Sequence, residues 1–253
     1  MPFASDSLAA LVGRVAATAA RDLARLVVPV ECPGCGLVDV RWCEDCAALW
    51  WEEPMRCESG APRLQRAGAT LPVWSVTPLV SSAHGMVAAW KDGGRRDLDA
   101  FFAQAIAREA QAVADALPER LTVVAAPARR SSTRARGADL PLLLAEAVAA
   151  RLRALGHDAR AASALRIGAG QSRGASARGR WSQAASVERV GEVLRASAVL
   201  LVDDVLTTGA TLAACRVALQ TLLHPVVGAM VLAHASTPAR TLTQEVAVPG
   251  GRG

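Results

Sequence analysis

Two stretches of the chain bring together residue types that can do chemistry. In Val199-Leu200-Leu201-Val202-Asp203-Asp204-Val205-Leu206-Thr207-Thr208-Gly209-Ala210-Thr211, four apolar residues run into two adjacent carboxylates, then into a hydroxyl-bearing turn with a glycine. The apolar run reads as a buried strand, and the turn opens a helix whose first N–H groups lack partners within the helix. Those free donors and the helix dipole favour an anion there, a phosphate dianion above all. Thr207, Thr208 and Thr211 add hydroxyl donors, and Gly209 lets the backbone come close to the anion. Asp203 and Asp204 cannot favour the phosphate itself. They make sense as acceptors for the vicinal hydroxyls of a sugar beside it. Helix capping alone explains an Asp or a Thr at such a turn, but not two acids followed by Thr-Thr-Gly-Ala-Thr behind four apolar residues.

The second stretch is Cys32-Pro33-Gly34-Cys35 and Cys43-Glu44-Asp45-Cys46, two C-x-x-C pairs with a short spacer between them. Four thiolates from two knuckles suit a tetrahedral zinc ion, and Pro33-Gly34 favours the tight turn of the first knuckle. A redox dithiol needs only one pair, set between strand and helix, and clustered free cysteines are the remaining alternative. The reading adopted is structural zinc on Cys32, Cys35, Cys43 and Cys46. With all four positions taken by protein, no open coordination site is left for a catalytic water. Cys57 has no nearby pair, and Cys215 falls on an apolar helix face with Leu212, Leu219 and Leu222, which marks it as core.

These residues need a framework, and the chain has the composition for one. Of 253 residues, 52% are hydrophobic and 4% aromatic, so the core is built mainly from Ala, Val and Leu. The net charge is +5, carried almost wholly by arginine, since Lys91 is the one lysine. A mild basic excess suits anionic ligands without choosing between phosphates and nucleic acid. Residues 1–31 resemble a signal peptide in composition, but no basic segment precedes the apolar stretch and Arg14, Arg21, Asp22 and Arg25 interrupt it. Leu8, Leu11, Val12, Val15, Ala19, Leu23 and Leu26 fall on one helical stripe, which predicts an amphipathic helix. No uncharged apolar run is long enough for a membrane span. Cysteines in metal-like spacing and no disulfide framework point to a reducing, cytoplasmic setting.

The expected organisation is an amphipathic helix over 1–31, a four-cysteine module over 32–62, an α/β domain over 71–237 and a flexible tail over 238–253. Within the α/β part, strands are expected at Val73–Val80, Leu121–Ala126, Val199–Val202 and Val226–His234. Helices are expected from about Leu98 to Leu117, over Leu140–Leu155 and over Thr211–Leu223. Trp90 to Arg96 reads as a charged turn, and Ile167 to Arg180 as a Gly- and Arg-rich loop. Strands alternating with helices predict a mostly parallel sheet with helices on its faces.

Val199–Thr211 resembles the signature of type I phosphoribosyltransferases, which bind phosphoribosyl diphosphate (PRPP). That resemblance implies a type I phosphoribosyltransferase-like sheet, with Asp203 and Asp204 on the ribose hydroxyls. It also implies that Thr207, Thr208, Gly209, Ala210 and Thr211 wrap the 5-phosphate. Arg129 and Arg130, in the loop after an early strand, would pair with diphosphate oxygens, and Lys91 would reach the same group. The order of helix, four-cysteine module and PRPP-type domain is similar to the ComF family, bacterial proteins linked to DNA uptake in natural competence. Trp90-Lys91, Arg136-Gly137, Gln171 and Arg178 add to the likeness. Ala138-Asp139 and Trp181 depart from it, where the family has Phe-Asn and Asn, and many members carry a second cysteine knuckle that is here reduced to Cys57.

The resemblance implies two functions. In the first, a nitrogen nucleophile displaces diphosphate from the anomeric carbon of PRPP, with Mg²⁺ bound to the diphosphate. In the second, the protein is a non-catalytic adaptor of the DNA-uptake machinery. Its partners would then be single-stranded DNA or a competence helicase, with PRPP or a nucleotide as regulatory ligand. The altered Asp139 and Trp181 weaken the case for turnover more than the case for PRPP binding.

Overall fold

The computed structural model describes residues 30–65, 70–128, 133, 137–168, 187–193, 197–220 and 224–235. The expected N-terminal helix lies outside these residues, as do Arg129, Arg130, Arg136, most of the Ile167–Arg180 loop, Trp181 and the tail.

The described elements are α1 (Glu44–Ala48), β1 (Met55–Arg56), α2 (Pro62–Gln65), β2 (Val73–Pro78), α3 (Ser81–Lys91), α4 (Asp99–Val113), β3 (Arg120–Ala125), α5 (Leu140–Ala154), β4 (Asp158–Ala162), β5 (Leu165–Ile167), β6 (Val187–Arg189), β7 (Ala198–Leu206), α6 (Ala210–Gln220) and β8 (Val226–His234). Six strands form one sheet in the order β1-β2-β8-β7-β3-β4, and β5 pairs with β6 apart from it. Only β1 runs antiparallel in the large sheet; the other pairings are parallel. The expected α/β class with a mostly parallel, helix-flanked sheet is therefore observed.

Alternation along the strands explains the layers. In β7, Leu200 and Val202 face one hydrophobic cluster while Val199 and Leu201 face the other. The first cluster joins the sheet to α3, α4 and α5 and takes in Cys32, Cys46 and Trp50 of the cysteine module. The second joins the opposite face to α2 and α6 through Leu64, Leu212, Cys215 and Leu219. Strands buried on both faces must be apolar throughout, which is why Val199–Val202 shows no polar alternation.

Several elements differ from expectation. Helix α3 fills the stretch between the expected strand, which ends at Val80, and the charged turn, of which it takes in Trp90 and Lys91. Its short, small-residue sequence, Ser-Ser-Ala-His-Gly, holds a glycine and has no side-chain cap at Val80, so helix signals are weak. Strand β7 continues to Leu206, beyond the expected end at Val202, because β8 keeps pairing with it as far as His234. Strand β4 was not expected, since Asp158-Ala-Arg-Ala-Ala is alanine-rich and lies on a sheet edge. Helix α5 matches its expected span. Asp139 caps it by accepting from the Leu142 N–H, and Gly156, at φ +99°, ends it.

Candidate functional site

In the sheet order, β3 is flanked by β4 on one side and β7 on the other, so the chain reverses its direction of winding between β3 and β7. A crevice is expected beyond the carboxyl ends of the strands at such a reversal. The two acids sit there. The last β3–β7 pair is Ala125 with Val202, and the Ala126 N–H donates to the Val202 carbonyl at 2.7 Å. Asp203 and Asp204 are the next residues of β7, where β3 has already ended and β8 still runs alongside.

The crevice is a cavity of about 470 Å³. Asp203, Asp204, Thr207 and Thr211 form one wall. His84, Val87, Ala88 and Lys91 form a second; their i, i+3, i+4, i+7 spacing is one face of α3. Pro127 and Ala128, which follow β3, line a third side. The Lys91 ammonium lies 2.8 Å from Asp204 Oδ2, with both side chains mostly buried. Lys91, expected at a diphosphate from the resemblance, lies on the cavity wall with its ammonium on one of the two acids. Asp203 Oδ1 accepts the Asp204 backbone N–H at 2.8 Å. Burial, with the negative Asp204 beside it, pushes the Asp203 carboxyl up to about 8, against the opposing pull of that N–H and of Lys91.

Beyond the acids, residues 207–211 turn from β7 into α6 around a small concavity of about 40 Å³ that Asp203, Thr207, Thr208, Gly209, Ala210 and Thr211 help to line. Gly209 has φ +76°, and a Cβ there would lie 2.7 Å from Leu64 Cβ and 2.9 Å from Ala61 Cβ. Glycine is thus required twice, for its dihedral and for the approach of α2. The Arg63 N–H donates to the Thr208 carbonyl at 3.0 Å, so the segment around α2 braces the turn from behind. From the sequence that segment reads as the end of the cysteine module at Pro62 followed by a polar linker, Arg63–Thr70. Sequence reasoning missed Leu79, His84, Val87 and Ala88 on the cavity wall. For the three on α3, the helical spacing to Lys91 was the available signal.

A second cavity, about 410 Å³, shares Pro127 and Ala128 with the first and includes Asp139, Ser163 and Arg166. Arg166 is held by Glu188 across the β5–β6 pair, and Asp139 is engaged in capping.

The four cysteines form the other centre. Their sulfur atoms all lie within 4.8 Å of one another. The Cys32–Cys43 and Cys35–Cys43 Sγ separations are 3.8 and 3.6 Å. Tetrahedral Zn–S bonds of about 2.3 Å place sulfur atoms about 3.8 Å apart, so the spacing fits a zinc ion. Gly34 is needed at the first knuckle, since a Cβ there would come 2.7 Å from Cys46 Sγ. Cys57 is not part of the cluster. It is buried, its thiol lies 3.5 Å from the Val73 carbonyl, and burial pushes it up to about 12. Cys215 is core, as expected, and burial raises its pKa well above that of a free thiol.

No helix among the described residues is long and apolar enough to cross a membrane. Compared with known proteins, the chain matches no family model and no curated sequence.

Proposed function

We propose that this chain is a phosphoribosyltransferase-fold protein of the ComF type whose larger cavity takes a ribose 5-phosphate bearing a diphosphate. The observation that carries this reading is the junction of two adjacent carboxylates with a glycine-hinged, hydroxyl-rich turn at the strand-order reversal. The turn supplies N–H and hydroxyl donors for the 5-phosphate, and the helix behind it supplies a favourable dipole. Asp203 and Asp204 accept from the ribose 2′- and 3′-hydroxyls. The diphosphate then extends toward Pro127 and Ala128.

The reaction that fits is attack of a nitrogen acceptor on the anomeric carbon. The new C–N bond forms as the C–O bond to diphosphate breaks, and diphosphate leaves with the bonding electrons. Oxygen donors on the cavity wall, Asp203 and Thr207 among them, suit a hard cation, and Mg²⁺ would neutralise the charge of the leaving group. The chain's own part is positioning: the turn fixes one end of the sugar and the acids fix its pucker and face. Lys91, paired with Asp204, offsets part of the repulsion between the adjacent carboxylates. At the cysteine cluster, zinc would be held by Cys32, Cys35, Cys43 and Cys46 and would serve folding.

Calorimetry with PRPP and Mg²⁺, on the wild type and on the Asp203→Asn/Asp204→Asn double variant, tests the site. Heat from the wild type alone is expected; equal heats from both proteins sink the assignment. Release of diphosphate with a panel of nucleobases and amines tests turnover.

A second reading, the adaptor that engages single-stranded DNA, is favoured by one observation. Trp51, Leu37 and Val38 lie exposed on or beside the cysteine module, and an exposed tryptophan is a surface on which a base can stack. Affinity for a single-stranded oligonucleotide that falls with salt and with Trp51→Ala supports it. No affinity at low salt removes it.

A further inference from the structure

The cysteine module and the ligand cavity lie on opposite sides of one helix. The face of α3 toward the cavity carries His84, Val87, Ala88 and Lys91. Other positions on the same helix meet the module. Gly85 lies so close to the first knuckle that a Cβ there would stand 2.4 Å from the Pro33 carbonyl oxygen. A Cβ on Gly34 would likewise stand 3.0 Å from Ser82 Cβ. The Trp50 indole N–H donates to Met86 Sδ at 3.2 Å, and Trp50 is wholly buried.

Just past the end of α3, Arg95 adds a grip of a different kind. Its Nη1 donates to the Glu31 carbonyl at 3.0 Å and its Nη2 to the Arg41 carbonyl at 2.9 Å. Glu31 directly precedes the first cysteine pair and Arg41 lies just ahead of the second. Nε and Nη2 also donate to Asp97, each at 2.8 Å, which holds the guanidinium in its plane. The module is therefore clamped to α3 near its start, along its middle and beyond its end. Lys91, the last residue of the helix, lies between these clamps and reaches Asp204.

We propose that Arg95 is a positioning residue which, with the metal-loaded cysteine module as its anchor, holds α3 so that Lys91 meets Asp204, and that metal occupancy thereby sets the affinity of the cavity for its ligand. The physical requirement is a rigid backing. The two carbonyls that Arg95 grips belong to loops with little regular structure, which a metal held by the four cysteines would fix. Loosening them frees Arg95, and the helix end that carries Lys91 gains freedom with it. A packed element with two arrangements transmits such a change, and both sites bias it. The ligand arm of this inference rests on the reading of the cavity given above; the lysine arm does not.

The single lysine makes the test direct, because the full chain labelled with ¹³C,¹⁵N-lysine gives one side-chain signal. Asp204→Asn defines the signal of an unpaired Lys91. Stripping the metal, and separately Arg95→Met in the metal-loaded protein, are each expected to move the signal toward that reference. Each is also expected to weaken PRPP binding by about 5-fold. In a Lys91→Met background, Arg95→Met is expected to have no further effect on affinity. Where Arg95→Met fails to fold, Arg95→Gln loses the planar fork without adding a second lysine, and the same shift is expected. A lysine signal that responds to Asp204→Asn but not to Arg95 substitution or metal removal overturns the proposal, and so does a signal that Asp204→Asn leaves unchanged. Affinity losses from Arg95→Met and Lys91→Met that multiply overturn it as well. If PRPP binds no variant, wild type included, the cavity reading falls and the lysine signal alone decides this one.

Discussion

The cysteine module and the larger cavity differ in how they are assembled and in what they contribute to stability. The module draws its four sulfur atoms from two short, neighbouring knuckles, and its bulky side chains are well satisfied: Trp50 packs edge-on to Phe102 with ring centroids 4.7 Å apart. The cavity collects its walls from β7, α3 and the loop after β3, which meet only in the folded chain. It also keeps two carboxyls side by side, Asp204 buried and Asp203 partly so, with the charge on Asp204 opposing a charge on Asp203. The module, loaded with metal, is expected to stabilise the fold, and the paired acids of the cavity to cost stability. That contrast is expected where a surface must stay ready for a charged ligand.

The contrast can be broken or sharpened by substitution. The largest effect is expected at the module. Cys46→Ser, or chelation of the metal, should lower stability on the order of 3–5 kcal/mol. The measurement is thermal melting with metal content determined in parallel, and unchanged melting in a metal-free protein would remove the module from the stabilising side.

At the cavity the signs should oppose each other. Asp203→Asn is expected to weaken PRPP binding about 100-fold while raising stability by roughly 1–3 kcal/mol. Asp204→Asn, which strands Lys91, should lower both. Melting curves beside calorimetry check this, and a destabilised Asp203→Asn protein would abolish the contrast.

A smaller gain is expected outside both regions. Glu109 of α4 is buried with neither carboxylate oxygen hydrogen-bonded, and burial raises its pKa well above the ordinary carboxyl range. Glu109→Gln should stabilise by about 1 kcal/mol, and Glu109→Leu by more. Equal melting temperatures would show that the carboxyl is accommodated without penalty.

A pH slope is also expected. Asp203 and Glu109 have folded-state pKa values above their unfolded ones. Below the ordinary carboxyl range they are protonated in both states and carry no penalty. As pH rises toward about 8, the unfolded chain releases protons that the folded chain retains, so stability falls. Melting temperature should therefore drop from about pH 6 to about pH 8, a window in which thiolates keep their metal. The Asp203→Asn/Glu109→Gln variant should lose most of that slope.

Legibility in the sequence followed the range of the interactions. The strand–acid–turn–helix run was readable because a buried parallel strand must be continuously apolar and a glycine-hinged turn must follow it. The four-cysteine cluster was readable for a related reason, since the spacing of cysteines within a knuckle is set by local turn geometry. Helix α3 was not, because its short alanine- and serine-rich sequence has weak helix signals and is held by Trp50, Arg95 and the knuckle packed on it. Nor was the brace behind Gly209, where Leu64 approaches from a segment far earlier in the chain.

By itself, then, the sequence determined the α/β class, the four sulfur ligands and the identity of the acids and hydroxyls at the β7–α6 turn. Each of these depends on neighbours along the chain, through strand burial, turn dihedrals or helix polarity. Only the tertiary structure decided that Lys91 belongs to Asp204, that α3 forms a cavity wall and that this wall is backed by the cysteine module. Such facts depend on which distant segments share a face of the sheet. Strand order and packing across the core set that, and no local pattern encodes it.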